Sequence, residues 1–120
     1  MANVTLVEIC RKYVDENSRH VLPKKEKITV GKGKNCDIVI VPSVMTQGVS
    51  RNHCTIIREG NNLRVFDNGS LNGTFVDDKK VSPEGENLYD KSYLYLYNYP
   101  LQVEISLYDR IKSTIGGLFG

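Results

Sequence analysis

The fold of this chain is decided by residues 50–76, which read SRNHCTIIREGNNLRVFDNGSLNGTFV. Three apolar runs within it, at residues 54–57, 63–66 and 74–76, have the length and β-branched content of short strands. The pairs Asn68-Gly69 and Asn72-Gly73 follow the second run, and both predict tight turns because Asn and Gly adopt positive φ at low cost. Hydroxyl, amide and guanidinium groups fill the loops, which is where a rigid sheet usually carries its binding site.

The rest of the sequence continues this pattern of short apolar runs between turn-forming segments. Strands are predicted at residues 4–9, 28–30, 37–41, 93–97 and 101–107, and loops or turns at 11–20, 43–49, 83–87 and 98–100. In YLYLY, residues 93–97, strict alternation puts the leucines on one face and the tyrosines on the other. About ten to eleven short strands with hardly any helical pattern predict an all-β protein, a β-sandwich.

The 120 residues are expected to form one domain with its own core. We place that domain at residues 1–108 and interpret residues 109–120 as a C-terminal tail, either a short docking segment or a linker. There is no basic, apolar leader and no membrane-length apolar run, so an intracellular location is expected.

Charge and cysteine content exclude several classes of function. The net charge is +2, from 16 basic and 14 acidic residues, which is too balanced to favour nucleic-acid or membrane binding. The three cysteines are odd in number and lack a CxxC spacing, which indicates reduced thiols rather than a disulfide framework. Together with two histidines they show no metal-ligand spacing, and no cofactor is predicted.

Three motifs make the chain resemble a forkhead-associated (FHA) domain. They are Ser50-Arg51-Asn52-His53, matching the family's SxxH, then Asn72-Gly73 within DNGSLNGTFV, and Gly31-Lys32 in VGKGKNCDIVI, where the family has Gly-Arg. Their order and spacing fit from residue 28 to about residue 105. SRNHC followed by DNxSLNG is most similar to the FHA module of ring-finger ubiquitin ligases that act at DNA breaks. The resemblance implies a sandwich whose loops at one end bind phosphothreonine peptides.

The resemblance also implies a role for each motif residue. Ser50 and Arg51 would contact the phosphate, which suits a hydroxyl donor and a planar guanidinium. Asn72 would bind the peptide main chain, Gly73 would serve the turn that presents it, and His53 would brace the binding loops. Because His53 and Cys54 are neighbours on a predicted strand, they point to opposite faces and do not form a base–nucleophile pair.

The glycine-lysine loop is where the chain departs from the family. A lysine at position 32 is a point charge on a flexible stem, whereas the family's arginine grips phosphate with a planar fork. Lys34 matches a second phosphate-contacting lysine found in some members, and Gly31 supports the loop. The remaining residues predicted to flank the site, as a specificity loop, are Gly48, Ser70 and Leu71.

The leading hypothesis is therefore a non-catalytic, phosphothreonine-dependent module that recruits a phosphorylated protein in signalling or the DNA-damage response. The resemblance suggests a nuclear location. The alternative is a degenerate FHA β-sandwich that binds partners without phosphate, as the change at Lys32 allows. A nucleic-acid module based on lysines and tyrosines is weaker, and no triad or carboxylate pair supports an enzyme. The sequence does not distinguish a monomer from a homodimer.

Overall fold

The protein consists of two sheets whose strands are mostly antiparallel. The computed structural model describes residues 2–10 and 16–106. Within those residues there are eleven strands and two one-turn 3-10 helices, Glu16–Ser18 and Val44–Thr46. The strands are β1 (Val4–Glu8), β2 (Arg19–Val21), β3 (Lys27–Gly31), β4 (Ile38–Val39), β5 (Cys54–Glu59), β6 (Asn62–Asp67), β7 (Thr74–Val76), β8 (Lys79–Lys80), β9 (Glu86–Leu88), β10 (Tyr93–Leu96) and β11 (Tyr99–Ile105).

The strands divide into one sheet of six and one of five. The first sheet has the order β2-β1-β11-β10-β7-β8, and the second has the order β4-β3-β5-β6-β9. Every pair is antiparallel except β3 with β4, which are parallel and joined by the loop at residues 32–37. This is the all-β sandwich that the sequence predicted.

The core consists of the inward-facing side chains of the two sheets. Leu6, Leu94 and Leu101 from the first sheet and Ile28 and Ile56 from the second are fully buried. Each such side chain stabilises the fold by about 1.5–3 kcal/mol through the apolar surface it removes from water. The YLYLY prediction is confirmed, since both leucines are fully buried while the ring of Tyr93 is partly exposed.

Three sequence-based predictions are corrected in detail. The predicted loop at residues 83–87 runs into strand β9, which pairs with β6 through Leu63 and Leu88. The predicted turn at residues 98–100 is shorter, because Tyr99 already pairs with Leu96. The loop at residues 43–49 contains the helical turn Val44–Thr46, capped by Ser43, whose hydroxyl accepts from the Met45 N–H at 3.2 Å. The proposed tail, 109–120, lies outside the described residues.

A buried guanidinium fastens the start of the chain to the second sheet. Arg58 is only 6% exposed, and it donates to the carbonyls of Ala2 at 3.0 Å and Pro23 at 3.3 Å. Its main-chain N–H also donates to the Glu26 carbonyl at 2.8 Å. The Arg58 side chain, on β5, is thus connected to the segment before β1 and to the β2–β3 loop.

We expect Arg58→Ala to lower the free energy of unfolding by about 2–4 kcal/mol, because it opens a cavity and strips two carbonyls of a charged donor. Arg64→Ala is the matched control: this arginine is half-buried and donates to the Glu84 carbonyl at 2.8 Å, so its loss should cost under about 1 kcal/mol. Urea unfolding measures both, and equal losses would contradict a fastening role for Arg58.

Candidate functional site

Strand register brings the predicted site residues to one end of the sandwich. Val30 pairs with Cys54, and Cys54 pairs with Asp67, so β3, β5 and β6 finish or begin at the same level. In the other sheet, Thr74 pairs with Leu96, which puts the β6–β7 loop and the β10–β11 turn at this end too. The segments 31–37, 40–53 and 68–73 therefore meet at this end of the sandwich.

The loop after β3 lies directly on the loop before β5. Lys32 N–H donates to the Ser50 carbonyl at 3.1 Å, and Gly33 N–H donates to the Arg51 carbonyl at 2.8 Å. The Cys36 thiol donates to the same Arg51 carbonyl at 3.1 Å. The main-chain carbonyl of Arg51 is thus fixed by two donors of the loop after β3, while the Arg51 side chain is exposed.

Gly31 is required by this close approach. A Cβ at Gly31 would lie 2.2 Å from the Arg51 carbonyl oxygen and 2.9 Å from the main-chain nitrogen of His53. Both contacts are with main chain, which has no freedom to move aside without disturbing the pairing of β3 with β5. The glycine is needed for space here.

The His53 ring joins two of the loops at the site, the segment before β5 and the β6–β7 loop. It is fully buried, its Nδ1 accepts from the Ser50 N–H at 3.0 Å, and its Nε2 lies 2.9 Å from the Gly73 carbonyl oxygen. An N–H on one side and a carbonyl on the other require the neutral tautomer with the proton on Nε2. Burial lowers the pKa of His53 more than the Gly73 carbonyl and the Asp67 charge raise it.

Ser50 and Asn72 are held by hydrogen bonds that leave groups for a ligand. The Ser50 Oγ accepts from the Leu71 N–H at 3.1 Å, and its own O–H can still donate to a ligand. The Asn72 Nδ2 donates to the Gly48 carbonyl at 3.1 Å, which leaves its Oδ1 as an acceptor for a main-chain N–H. These bonds tie the β6–β7 loop to the segment before β5.

The β6–β7 loop is organised by one carboxylate. Asp67 accepts from the Ser70 N–H at 3.0 Å and from the hydroxyls of Ser70 and Thr74 at 2.5 and 2.6 Å. The Ser70 hydroxyl accepts in turn from the Gly73 N–H at 2.9 Å. Burial raises the pKa of Asp67, but these hydrogen bonds together outweigh it and leave the pKa lowered. Gly73 has φ of +93°, which favours glycine.

Two site residues escaped the sequence analysis, Asp67 and Asn68. The Asn68 Nδ2 donates to the Asn52 Oδ1 at 2.8 Å, its Oδ1 accepts from the Thr55 hydroxyl at 2.9 Å, and its N–H donates to the His53 carbonyl at 3.0 Å. The local signal was DNGS, because Asp and Asn side chains commonly close turns through hydrogen bonds to nearby main-chain groups.

Three cations line an open groove beside these loops. Lys32, Lys34 and Arg51 border a space of about 630 Å³, together with Asn35 and Asn52. Ser50 and Asn72 are not part of its wall, so the predicted site consists of the groove and an adjoining rim. Among the described residues, no group of His, Cys, Asp and Glu side chains is placed to hold a metal ion.

The proposed specificity-loop residues have different surroundings. Leu71 is 88% exposed, whereas the Ser70 hydroxyl is engaged by Asp67 and Gly73. Gly48 lies against the ring of Tyr97, since a Cβ there would be 2.3 Å from the ring. Cys54, next to His53 in sequence, points into the core, where burial raises the pKa of its thiol. No helix of the described residues is long and apolar enough to cross a membrane.

Comparison with known proteins adds a family match to this geometry. A model of the FHA domain family matches residues 28–96. The E3 ubiquitin-protein ligase rnf8 of Danio rerio is 31% identical, with the match covering 78% of this chain and 21% of the ligase. The chain therefore spans about a fifth of that relative's length.

Solved structures share the fold. One, from an analysis of phosphothreonine-dependent FHA domain interactions, is similar with a TM-score of 0.70 and 24% identity, over 87% of this chain and 97% of the other. The N-terminal FHA domain of Rad53p from S. cerevisiae, in complex with a phosphothreonine peptide, gives 0.73 and 17%, over 93% and 98%. At these identities the likeness is one of fold.

We expect Gly31→Ala to lower the free energy of unfolding by about 1–3 kcal/mol, because its methyl group collides with main chain. In an NMR spectrum of the main-chain amides, the chemical shifts of residues 50–53 should change, because these residues lie against Gly31. Gly60→Ala is the control: at a φ of +63° it strains its own turn, but nothing lies within 4 Å, so it should leave the amides of residues 50–53 unmoved. Unshifted amides at 50–53 in Gly31→Ala would contradict the contact.

Stability should fall as the pH drops below about 6.5, because the unfolded chain then protonates a histidine that the folded chain keeps neutral. The folded pKa of His53 is lowered, so its contribution is fully present above 6.5 and is lost at no more than about 1.4 kcal/mol per pH unit below it. Urea unfolding from pH 7.5 to 5 measures the loss, and NMR titration of the His53 ring supplies the midpoint. A midpoint at or above 6.5 would contradict the buried neutral tautomer.

Proposed function

This chain belongs to the FHA domain family, and we propose that it binds phosphothreonine peptides of a partner protein through the loops that meet at residues 31–37, 50–53 and 70–73. The observation that carries the proposal is the convergence of a fixed serine hydroxyl, an exposed guanidinium and two lysines beside an asparagine with a free acceptor oxygen. The family resemblance first inferred from the motifs is confirmed.

The phosphate is the group this set of side chains fits. A phosphothreonine carries about −1.5 to −2 charges near neutral pH and three acceptor oxygens. Arg51 supplies a planar donor fork, Ser50 supplies a hydroxyl, and Lys32 and Lys34 supply charge. Three charge-assisted hydrogen bonds at about 1.5–3 kcal/mol each, less the cost of ordering a peptide, support an affinity near the micromolar range.

Asn72 is the residue that favours a peptide over a free phosphate as the ligand. With its Nδ2 bonded to the Gly48 carbonyl, the Oδ1 is placed to accept a main-chain N–H from the ligand. Threonine over serine is a weaker inference, because burial of one methyl group is worth about 0.8 kcal/mol, which is about a fourfold preference. A larger preference requires a shaped cavity for the methyl group.

The cellular setting is also a proposal. The likeness to the ligase rnf8 supports a role for this module in recruiting a phosphorylated protein within signalling or the DNA-damage response, with a nuclear location. The module is proposed to act by binding alone, without a cofactor. A phosphate-independent sandwich is the competing reading, and the peptide experiment below distinguishes the two.

We expect the wild-type chain to bind phosphothreonine peptides near the micromolar range in fluorescence anisotropy, and to bind matched unphosphorylated peptides at least tenfold more weakly. Arg51→Ala and Asn72→Ala should each weaken binding about tenfold or more, from the loss of one hydrogen bond of about 1.5 kcal/mol. A library with matched phosphoserine peptides measures the threonine preference and the flanking residues.

Lys27→Ala is the matched charge control. Lys27 begins β3 at the other end of the sandwich and is exposed, so its removal takes away one positive charge without touching the site. It should bind within about twofold of wild type. Binding that ignores the phosphate, or an Arg51→Ala chain that binds as well as Lys27→Ala, would overturn the proposal in favour of the phosphate-independent sandwich.

A further inference from the structure

The six-stranded sheet carries apolar side chains on the face that points away from the core. Strand pairing places two neighbouring rows on this face: Phe75, Tyr95, Pro100 and Ile9 in one row, and Tyr93, Gln102, Val7 and Arg19 in the next. An antiparallel sheet with one face on the core normally presents polar side chains on the other face. We call these two rows the outer face, and its composition departs from that rule.

The other sheet of the same molecule follows the rule. Its outward rows are Lys27, Ile57, Arg64 and Asn87, and Thr29, Thr55 and Phe66. Most of these side chains are polar, and the Phe66 ring is covered by the β8–β9 loop, since a Cβ at Gly85 would lie 2.7 Å from it. The apolar surface is therefore a property of one sheet and not of the whole protein.

Part of the outer face is still exposed. Tyr93 is 37% exposed and Ile9 is 36% exposed, while Tyr95 is half-buried and Val7 is buried although it lies outside the core cluster. The rings of Tyr93 and Tyr95 lie side by side, with centroids 6.3 Å apart. A contiguous surface of this kind marks a place where another element packs.

The described chain leaves the six-stranded sheet at the edge of the outer face. The Ser106 N–H, just after β11, donates to the Asn3 carbonyl at 3.0 Å. Ser106 also borders an open groove of about 260 Å³ together with Thr5 and Glu104, which pair with each other and alternate outward on their strands. This groove connects the end of β11 with the outer face.

The segment that continues from Ser106 has the sequence pattern of an element that packs on an apolar surface. Residues 107–119 read LYDRIKSTIGGLF and lie outside the described residues. At about 100° per residue, the apolar side chains of residues 107–115 fall within an arc of about 100°, and Asp109 and Ser113 lie on the opposite side. Leu118 and Phe119 follow the Gly116-Gly117 pair, which ends the helical pattern.

The segment is also long enough. Pro100, in the far row of the outer face, comes six residues before Ser106, which corresponds to about 20 Å along β11. A helix over residues 107–115 spans about 13 Å, and the four residues after it add up to about 13 Å when extended. The segment can therefore turn back at Ser106 and cross both rows.

We propose that residues 107–119 fold back over the outer face of the six-stranded sheet and cover its apolar rows. The apolar side of residues 107–115 packs on Tyr93 and Tyr95, and Leu118 and Phe119 extend toward the row of Pro100. The occupant of this face is thus a segment of the same chain. Docking returns the chain from the end opposite the binding loops toward the β10–β11 turn, whose Tyr97 N–H donates to the Gly73 carbonyl.

NMR of the isotope-labelled full chain tests the docking directly. Two readouts are used: NOEs between the methyl groups of Ile111 and Ile115 and the rings of Tyr93 and Tyr95, and the hydrogen-exchange rates of the amides of residues 111–115. The segment is altered in a double variant, Ile111→Ser with Ile115→Ser, and its control is Asp109→Ser on the polar side. The outer face is altered by Tyr95→Ser, and its control is Val44→Ser, an apolar side chain that is 83% exposed on the Val44–Thr46 turn.

We expect methyl-to-ring NOEs in the wild-type chain, and exchange of the amides of residues 111–115 about tenfold or more slower than in the double variant, because packing protects a helical segment from opening. Tyr95→Ser should also speed their exchange. Asp109→Ser and Val44→Ser should keep both the NOEs and the slow exchange. Diluting the sample tenfold should leave the NOEs unchanged, since the contact lies within one molecule.

Three outcomes would overturn the docking. The first is the absence of these NOEs, with wild-type amides that exchange as fast as those of the double variant. The second is slow exchange that survives Tyr95→Ser unchanged, which would place the segment on another surface. The third is a set of NOEs that appears only between differently labelled molecules in a mixed sample, which would assign the outer face to a second copy of the chain. None of these readouts involves a phosphopeptide, so the result is independent of the proposed function.

Discussion

The binding end of this protein depends on the buried imidazole of His53. It accepts from the Ser50 N–H on one side and contacts the Gly73 carbonyl on the other. The same carbonyl accepts from the Tyr97 N–H at 3.0 Å, so the ring connects the segment before β5 with the β6–β7 loop and, through that carbonyl, with the β10–β11 turn. Burial lowers the pKa of the ring and so keeps it neutral, while the Ser50 N–H and the Gly73 carbonyl select the tautomer.

In the loops around this ring, main-chain groups make the hydrogen bonds that fix the loops, and side chains are exposed to a ligand. The Arg51 carbonyl accepts hydrogen bonds from the Gly33 N–H and the Cys36 thiol, and the Ser50 carbonyl accepts one from the Lys32 N–H. The side chains of Arg51 and Lys34, by contrast, are exposed, and both residues line the groove. A flexible cation on a fixed main chain loses less entropy on binding than one on a mobile loop, which is the advantage of building the site on rigid strands.

The sequence predicts the strands and the site motifs better than it predicts how the loops are tied together. The alternation in YLYLY predicts which side chains are buried, and the Asn-Gly pairs predict turns. Both properties depend on only a few adjacent residues, so the sequence is enough to predict them. Asp67 and Asn68 escaped because their importance comes from partners 16 residues or fewer away that only the fold brings close, namely Asn52, Thr55 and Thr74. The strand at Glu86–Leu88 escaped for a related reason: its residues carry a weak apolar pattern, and pairing with β6 determines its conformation.

The lysine at position 32 shifts the directional requirement to other residues. An ammonium contributes charge with little preference for geometry, so it cannot by itself fix the orientation of a phosphate. In the proposed site that orientation comes from Arg51, whose main chain is clamped by two donors, and from Ser50, whose hydroxyl is set by the Leu71 N–H. Lys32 and Lys34 then deepen the positive potential of a broad groove without restricting where an anion lies within it. In the proposed site, Arg51 and Ser50 therefore supply the directional contacts, and the two lysines supply charge alone.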